Sequence, residues 1–267
     1  MLRQILADKI KAIPDAKIAV ATSGGIDSSA LVLAAIDAGK TVTVVSFSLE
    51  RYESSDFKAA RHLAEAFGLP FLPVALPTSE ETIVADVRYL IETWEARRKT
   101  AIECLWPFLA TIATLKRAGL STLVVGSAAD GHFALSKKAM IHHRYPRAKF
   151  QKFRADYFAN PDAAQVSTLR AIGIANNVSI FSPYFSNDVF DLFARSTWDD
   201  LNKPRQKEAI RKEFPELDPL SIARHTNLQL GDSKIAETVG NAVLRKYAPG
   251  AKSPIAAYNK IAAGVLD

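Results

Sequence analysis

The chain has 267 residues, 48% of them apolar, a formal net charge of +6 and one cysteine, Cys104. That is enough apolar material for a sizeable core, and a single cysteine excludes a disulfide framework or a cysteine-rich zinc site. No apolar run approaches the roughly 20 residues of a membrane span, and the first ten residues read as an amphipathic helix carrying Asp8. Neither an anchor nor a signal peptide is expected, which predicts a cytoplasmic protein. The mild positive excess suits anionic ligands, nucleotides and nucleic acid alike.

After the first helix, Ile13-Pro14-Asp15 turns the chain into a short apolar strand over 18–21. Ser23-Gly24-Gly25-Ile26-Asp27-Ser28-Ser29 follows and leads into an apolar helix that Gly39 ends. A strand, a glycine turn and a helix start make an anion site, because the first-turn N–H groups lack helical partners and the dipoles add about half a positive charge. Adjacent glycines admit phosphate oxygens to the backbone, and the three serine hydroxyls can donate further hydrogen bonds. A carboxylate in such a cradle, Asp27, makes sense when Mg²⁺ sits between it and the phosphates. Gly39-Lys40-Thr41 imitates the end of a Walker A loop, but Ala34 stands where that motif needs glycine and the segment lies at a helix end.

The β-branched run over 41–47 predicts a second strand, and 54–67 a helix capped by its serines. Residues 71–76 read as a third strand whose prolines favour an edge or a strand end. Helices are predicted within 78–95 and over 102–117, with a turn or kink near Pro107, and then a fourth strand over 123–126. Strands alternating with helices at this spacing predict an α/β, doubly wound parallel sheet. Ligands of such sheets bind at the carboxyl ends of the strands, which gathers 23–29, 46–50 and 126–130 on one rim. From residue 137 the pattern turns helical. The expected organisation is a nucleotide-binding core over 1–135 and a helical portion over 136–267 laid across the rim, with no linker between them. Residues 131–155 carry seven Lys or Arg and no acid before Ala155, interleaved with His142, His143, Tyr145, Phe150 and Phe153. Such a segment could grip phosphates or stack nucleobases, or it is a solvated face. Lys203, Lys207 and Arg211 are spaced to share one helix face.

The glycine-rich heptapeptide resembles the PP-loop, SGGxDS, of the ATP pyrophosphatases, which cleave ATP between the α- and β-phosphates and adenylate a substrate oxygen. More narrowly, the chain is similar to the synthetase domain of asparagine synthetase and its β-lactam-forming relatives. Ser54-Ser55-Asp56 with Ala60 matches the family's SSD segment, and Glu92-Thr93-Trp94-Glu95 its ETYD. The stretch 126–133 stands in place of GEGSDELF, Phe181-Ser182-Pro183-Tyr184-Phe185 in place of RVPFLD, and 202–211 resembles the lysine-rich segment ending in LR. Arg224 is placed like the arginine of the late RxK element. The family's glutaminase domain has no counterpart in the chain, so nitrogen is expected from free ammonia, an amine substrate or a separate ammonia-supplying subunit.

The resemblance implies an adenine nucleotide alpha hydrolase-like fold with a C-terminal helical subdomain, and ATP with Mg²⁺. It implies that Asp27 and Asp130 hold the metal and that Ser23, Gly24, Gly25, Ser28 and Ser29 bind pyrophosphate. Val45, Ser46, Phe47 and Gly126 would line the adenosine site, and Lys207 and Arg224 would act on the reacting groups. The departures lie where the acyl-adenylate or the amine is normally handled: Ser127, Gly131 and Thr226 replace a glutamate, an acid and a lysine. The expected activity is adenylation of a small carboxylate followed by amide formation, with asparagine an unlikely product. The alternatives are adenylation of a nucleobase oxygen, in a nucleotide or in nucleic acid held by 131–155, and nucleotide binding without turnover.

Overall fold

β1 (Lys17–Ala21) shows how one short run can organise two layers. Its side chains alternate, so that Ile18 and Val20 enter one core while Ala19 and Ala21 enter the other. β2 (Thr41–Leu49) repeats the pattern, with Val42 and Val44 on the first face and Val45, Phe47 and Leu49 on the second. A strand buried on both sides needs helices on both sides, and the chain supplies them. The structure is a computed structural model that describes residues 1–135, 147–220 and 231–265.

Five strands form one parallel sheet in the order β3-β2-β1-β4-β5, completed by β3 (Phe71–Leu76), β4 (Thr122–Val124) and β5 (Ser179–Phe181). Pro73 lies in β3, an edge strand, as the sequence predicts. The order reverses between β1 and β4, so the crevice beyond their carboxyl ends is the topological switch point where such sheets take ligands. Residues 22–25 follow β1 into that crevice and residues 125–128 follow β4 into it.

On the first face lie α1 (Leu2–Lys11), α2 (Ile26–Asp37) and α3 (Ser55–Ala66). α2 buries residues on every side, from Ile26 through Ala35, which makes it a helix of the interior rather than of the surface. The second face carries α4 (Glu80–Trp94) and α5 (Lys99–Arg117). Past β4 come α6 (Ala129–Phe133), α7 (Arg147–Phe158), α8 (Val166–Ala175), α9 (Asn187–Leu192), α10 (Trp198–Asn202), α11 (Glu208–Arg211), α12 (Ile235–Tyr247) and α13 (Pro254–Ala262). No helix among the described residues is long and apolar enough to cross a membrane.

Four expectations need correction. α5 is one helix from Lys99 to Arg117 with Pro107 inside it, so no turn divides it there, and residues from both sides of the proline, Ile102, Leu105, Trp106, Ile112 and Leu115, are buried in one core. The second half is not helical throughout, since β5 extends the sheet there and pairs with β4. Rather than lying over the rim, α12 and α13 bury Val239, Val243, Tyr247, Tyr258 and Ile261 in the core of α4 and α5. Finally, Lys203, Lys207 and Arg211 do not share a helix. Lys203 ends α10 in extended backbone, Lys207 sits at φ 58° before α11, and only Arg211 is helical.

Candidate active site

The turn after β1 is built around Gly24. At φ 69° it has the left-handed backbone that favours glycine, and a Cβ there would lie 2.3 Å from the Cβ of Ala59 on α3. The loop is therefore pressed against α3, with no room for a side chain. Ser28 closes it from the other side: its hydroxyl accepts from Ser23 N–H at 3.2 Å and donates to the Gly25 carbonyl at 3.1 Å. Gly25 N–H in turn donates to Ser23 Oγ at 3.3 Å. Gly25 is the N-cap of α2 and gives that helix no side-chain cap. The first-turn N–H groups of a twelve-residue helix thus meet the crevice without a capping group, and the buried Ser29 hydroxyl has no hydrogen-bond partner among the described residues.

Gly126, just past β4, lies against this turn, and a Cβ on it would sit 3.7 Å from Ser28 N and 3.9 Å from the Asp27 Cβ. The chain then enters α6 through Ala128 at φ 71°, and Asp130 falls in the first turn of α6. Asp27 and Asp130 meet through one side chain. Lys207 Nζ is 2.7 Å from Asp130 Oδ1 and also pairs with Asp27 Oδ2. Lys207 is buried, its side chain 2% exposed, while the carboxylates are 18% and 50% exposed. Burial disfavours the ammonium, but Asp27 and Asp130 outweigh it and hold the Lys207 pKa above the usual lysine value. Asn202 fixes the lysine's backbone, accepting from Lys207 N–H at 3.1 Å while its amide donates to the Phe133 carbonyl at 3.0 Å. The left-handed turn at Lys207 and the clamp from Asn202 deliver this cation to the site; a solvated stripe does not.

The other expected residues divide. Val45 is core, Phe47 meets Phe108 edge-on at 6.1 Å between centroids, and Ser46 is buried on the opposite face of β2. All three lie in the carboxyl half of β2: Val45 pairs with Ala21 at the end of β1, and Ser46 and Phe47 run on past it, paired with β3. Arg224 and Thr226, with 136–146 of the basic segment, lie outside the described residues. Of the described part of that segment, Phe150 and Arg154 are buried and turned inward, whereas Lys152 is exposed, in a surface pair with Asp156 one helical turn on. At Gly131 the reason for glycine is visible: a Cβ would lie 2.2 Å from a ring carbon of Tyr157. The tyrosine ring fills the space that an acid at 131 would need. Its pKa is pushed up to about 12 by burial, then by Asp130 and Cys104.

Asp27 and Asp130 converge on the Lys207 ammonium, and the same two acids could supply a magnesium ion with the one or two protein carboxylates that it takes, the rest of its shell coming from water and phosphate. Among the described residues no group of three or more His, Cys, Asp or Glu could form an all-protein cage. The site suits a metal that arrives with a nucleotide.

The asparagine synthase family model matches residues 1–229, which include every element of the sheet and all three groups that converge on the crevice. The chain belongs to the asparagine synthase family. Membership makes it an ATP-using synthetase with the doubly wound adenine nucleotide alpha hydrolase-like fold that its strand order displays. α12 and α13 lie beyond the matched region and complete the second core. Among solved structures, NMN synthetase from Francisella tularensis is similar over 94% of this chain and 94% of that one, at 13% identity and a TM-score of 0.37. A comparison with curated proteins gives no match.

Tyr184 and Asn202 carried no signal in the sequence. Tyr184 lies in the stretch resembling RVPFLD, at a position where the family pattern has an apolar residue, and Asn202 opens the lysine-rich segment without a distinctive neighbour.

Proposed function

We propose that this asparagine synthase family member is an AMP-forming, Mg²⁺-dependent synthetase that adenylates a substrate carboxylate and passes the acyl group to an amine, forming an amide. The observation that carries the reading is the meeting of Asp27 and Asp130 at one point beside the uncapped start of α2. The helix start and the hydroxyls of Ser23, Ser28 and Ser29 would hold the two outer phosphates and receive the charge that grows on them as the α–β bond breaks. Asp27 and Asp130 would hold Mg²⁺, whose contribution is to neutralise charge on the departing pyrophosphate. Lys207, carried on a buried and fixed backbone, would reach the α-phosphate as the carboxylate attacks it. Gly126 and the end of β2 would line the adenosine side of the crevice.

The second half-reaction is built differently from that of asparagine formation. Tyr157 stands where an acid at 131 would stand, and Ser127 presents its carbonyl to the Ser182 hydroxyl at 2.6 Å. A phenol held protonated by burial can donate a hydrogen bond but cannot ion-pair an ammonium. The acceptor is accordingly proposed to be a neutral amine or ammonia, supplied free or by a separate subunit.

Incubation with α-labelled ATP, Mg²⁺ and a panel of carboxylates, amines, ammonia and RNA tests the proposal. AMP and pyrophosphate that depend on a carboxylate are expected. ADP as the sole product would overturn it, and AMP that depends on RNA would replace it with nucleobase adenylation.

A further inference from the structure

Two residues after Asp130, in the short helix α6, His132 is buried to 0% exposure. Its ring stacks on Phe158 at 4.3 Å and lies 5.6 Å from the ring of Phe193. Its two nitrogens have defined partners. Nε2 is 2.9 Å from the Tyr184 carbonyl oxygen, which can only accept, so Nε2 carries the hydrogen. Nδ1 is 3.3 Å from a terminal nitrogen of Arg154, which can only donate, so Nδ1 accepts. His132 is therefore a neutral ring in one tautomer; burial, opposed by the Tyr184 bond and reinforced by Arg154, drops its pKa to about 3.

Arg154 is itself at 0% exposure and is held by carbonyls rather than carboxylates: Phe193 at 2.7 Å, Phe190 at 3.1 Å and the Gln151 side chain at 2.9 Å. Tyr184, also at 0% exposure, closes the chain. Its hydroxyl donates to the backbone carbonyl of Asp27 at 3.1 Å. From Arg154 to His132 to Tyr184 to Asp27 there is thus an unbroken buried path. It joins α7 and the loop before α9 to the two segments that bear the aspartates.

We propose that His132, Arg154 and Tyr184 are positioning residues that fix the separation of Asp27 and Asp130, so that a nucleotide-bound divalent cation finds both carboxylates already in place. The inference rests on the metal role proposed above for the two aspartates. It assigns work to residues that touch neither nucleotide nor metal. A buried tyrosine hydroxyl needs an acceptor, and the one it has here is the backbone carbonyl of a proposed metal ligand.

The test uses the full chain with H132L, H132Q and Y184F. The readouts are thermal melting, the Mg²⁺ concentration that half-saturates binding of a fluorescent ATP analogue, and kcat and KM for AMP formation. Gln can place its amide N–H near the position of Nε2, and Phe at 184 removes one hydroxyl while leaving the carbonyl that His132 uses. H132L and Y184F are expected to raise the Mg²⁺ half-saturation about tenfold or more and to lower kcat more than they raise KM for ATP. H132Q is expected to stay within about threefold of the wild type. Folded H132L and Y184F with wild-type Mg²⁺ half-saturation would overturn the inference, as would an H132Q that melts normally yet binds as poorly as H132L. If H132L does not fold, Y184F decides alone. A wild-type chain that binds the Mg²⁺-nucleotide but releases no AMP would overturn the proposed reaction and leave this inference to the metal titration. One that binds no Mg²⁺-nucleotide would overturn both.

Discussion

Lys207 shows how much one side chain can decide. A buried ammonium is held here by two acids, and removing it leaves Asp27 and Asp130 without the cation they share. Lys207→Met is expected to lower AMP formation by about 10²- to 10³-fold and to cost roughly 1–3 kcal/mol, less than a fully buried pair because Asp130 is half exposed. The stability gap between wild type and variant should be flat from pH 6 to 9. A lysine whose folded pKa is raised above 10.5 contributes fully below that value and loses its contribution only as pH rises through the raised one. Urea unfolding across that range checks this, and a gap that closes by pH 8 would contradict it. At Gly131 the clash with Tyr157 predicts a coupling: Gly131→Ala alone should destabilise by about 1–3 kcal/mol, and much of that should return in the pair with Tyr157→Ala. Not all of this was legible in the sequence. The acids and the glycines announce themselves because phosphate and Mg²⁺ demand those residue types at that spacing. Arg154 does not, since a string of cations contains nothing that says which member turns inward.

Elements made their presence known in proportion to their length. α2 and β2, twelve and nine residues long, are plain from pattern alone. β5 has three residues, only Ile180 of them buried, and no period can be read in three positions. It is a strand because β4 offers it a partner. The lysine-rich segment departs from its pattern for a related reason: even spacing suggests one helix face, but Pro204 and the left-handed Lys207 interrupt the helix. At the start of α3 a prediction concerns pH. Ser54 caps the helix, while Asp232, from far along the chain, accepts from Ser55 N–H at 2.9 Å and from its hydroxyl at 2.9 Å. Burial first and then the nearby Asp232 push the Asp56 pKa up to about 6. A carboxyl whose folded pKa exceeds its unfolded value of 3.8 binds protons more tightly in the native state, so its charge opposes folding above pH 6 and the penalty is relieved toward pH 4. Asp56→Asn should therefore stabilise the protein by about 1 kcal/mol at pH 7.5 and by less at pH 5, as melting at the two values will show. An equal effect at both would exclude the shift.

For the whole molecule, the family match ends at residue 229, yet the second core does not. Val239, Ala242, Val243, Tyr247, Tyr258 and Ile261 share that core with Ile83, Val87, Leu90 and Ile91 of α4. A chain cut after residue 230 is expected to aggregate or to lose its cooperative melt, and Val239→Asp should do the same more mildly. Gel filtration and calorimetry would show it, and a monomeric truncation with a sharp transition would contradict it. The sheet and its order were legible from the alternation of strands and helices. The placement of the last two helices was not, because an amphipathic helix states that it has a partner without naming the partner.

The close approach of Gly24 to Ala59 has a consequence for engineering. The nucleotide turn and the third helix are cast as one piece, so an attempt to transplant the heptapeptide alone onto another parallel sheet would fail unless a small residue came with it at the facing helical position. Libraries that diversify 59 toward larger side chains should be rich in clones that fold but no longer grip a triphosphate.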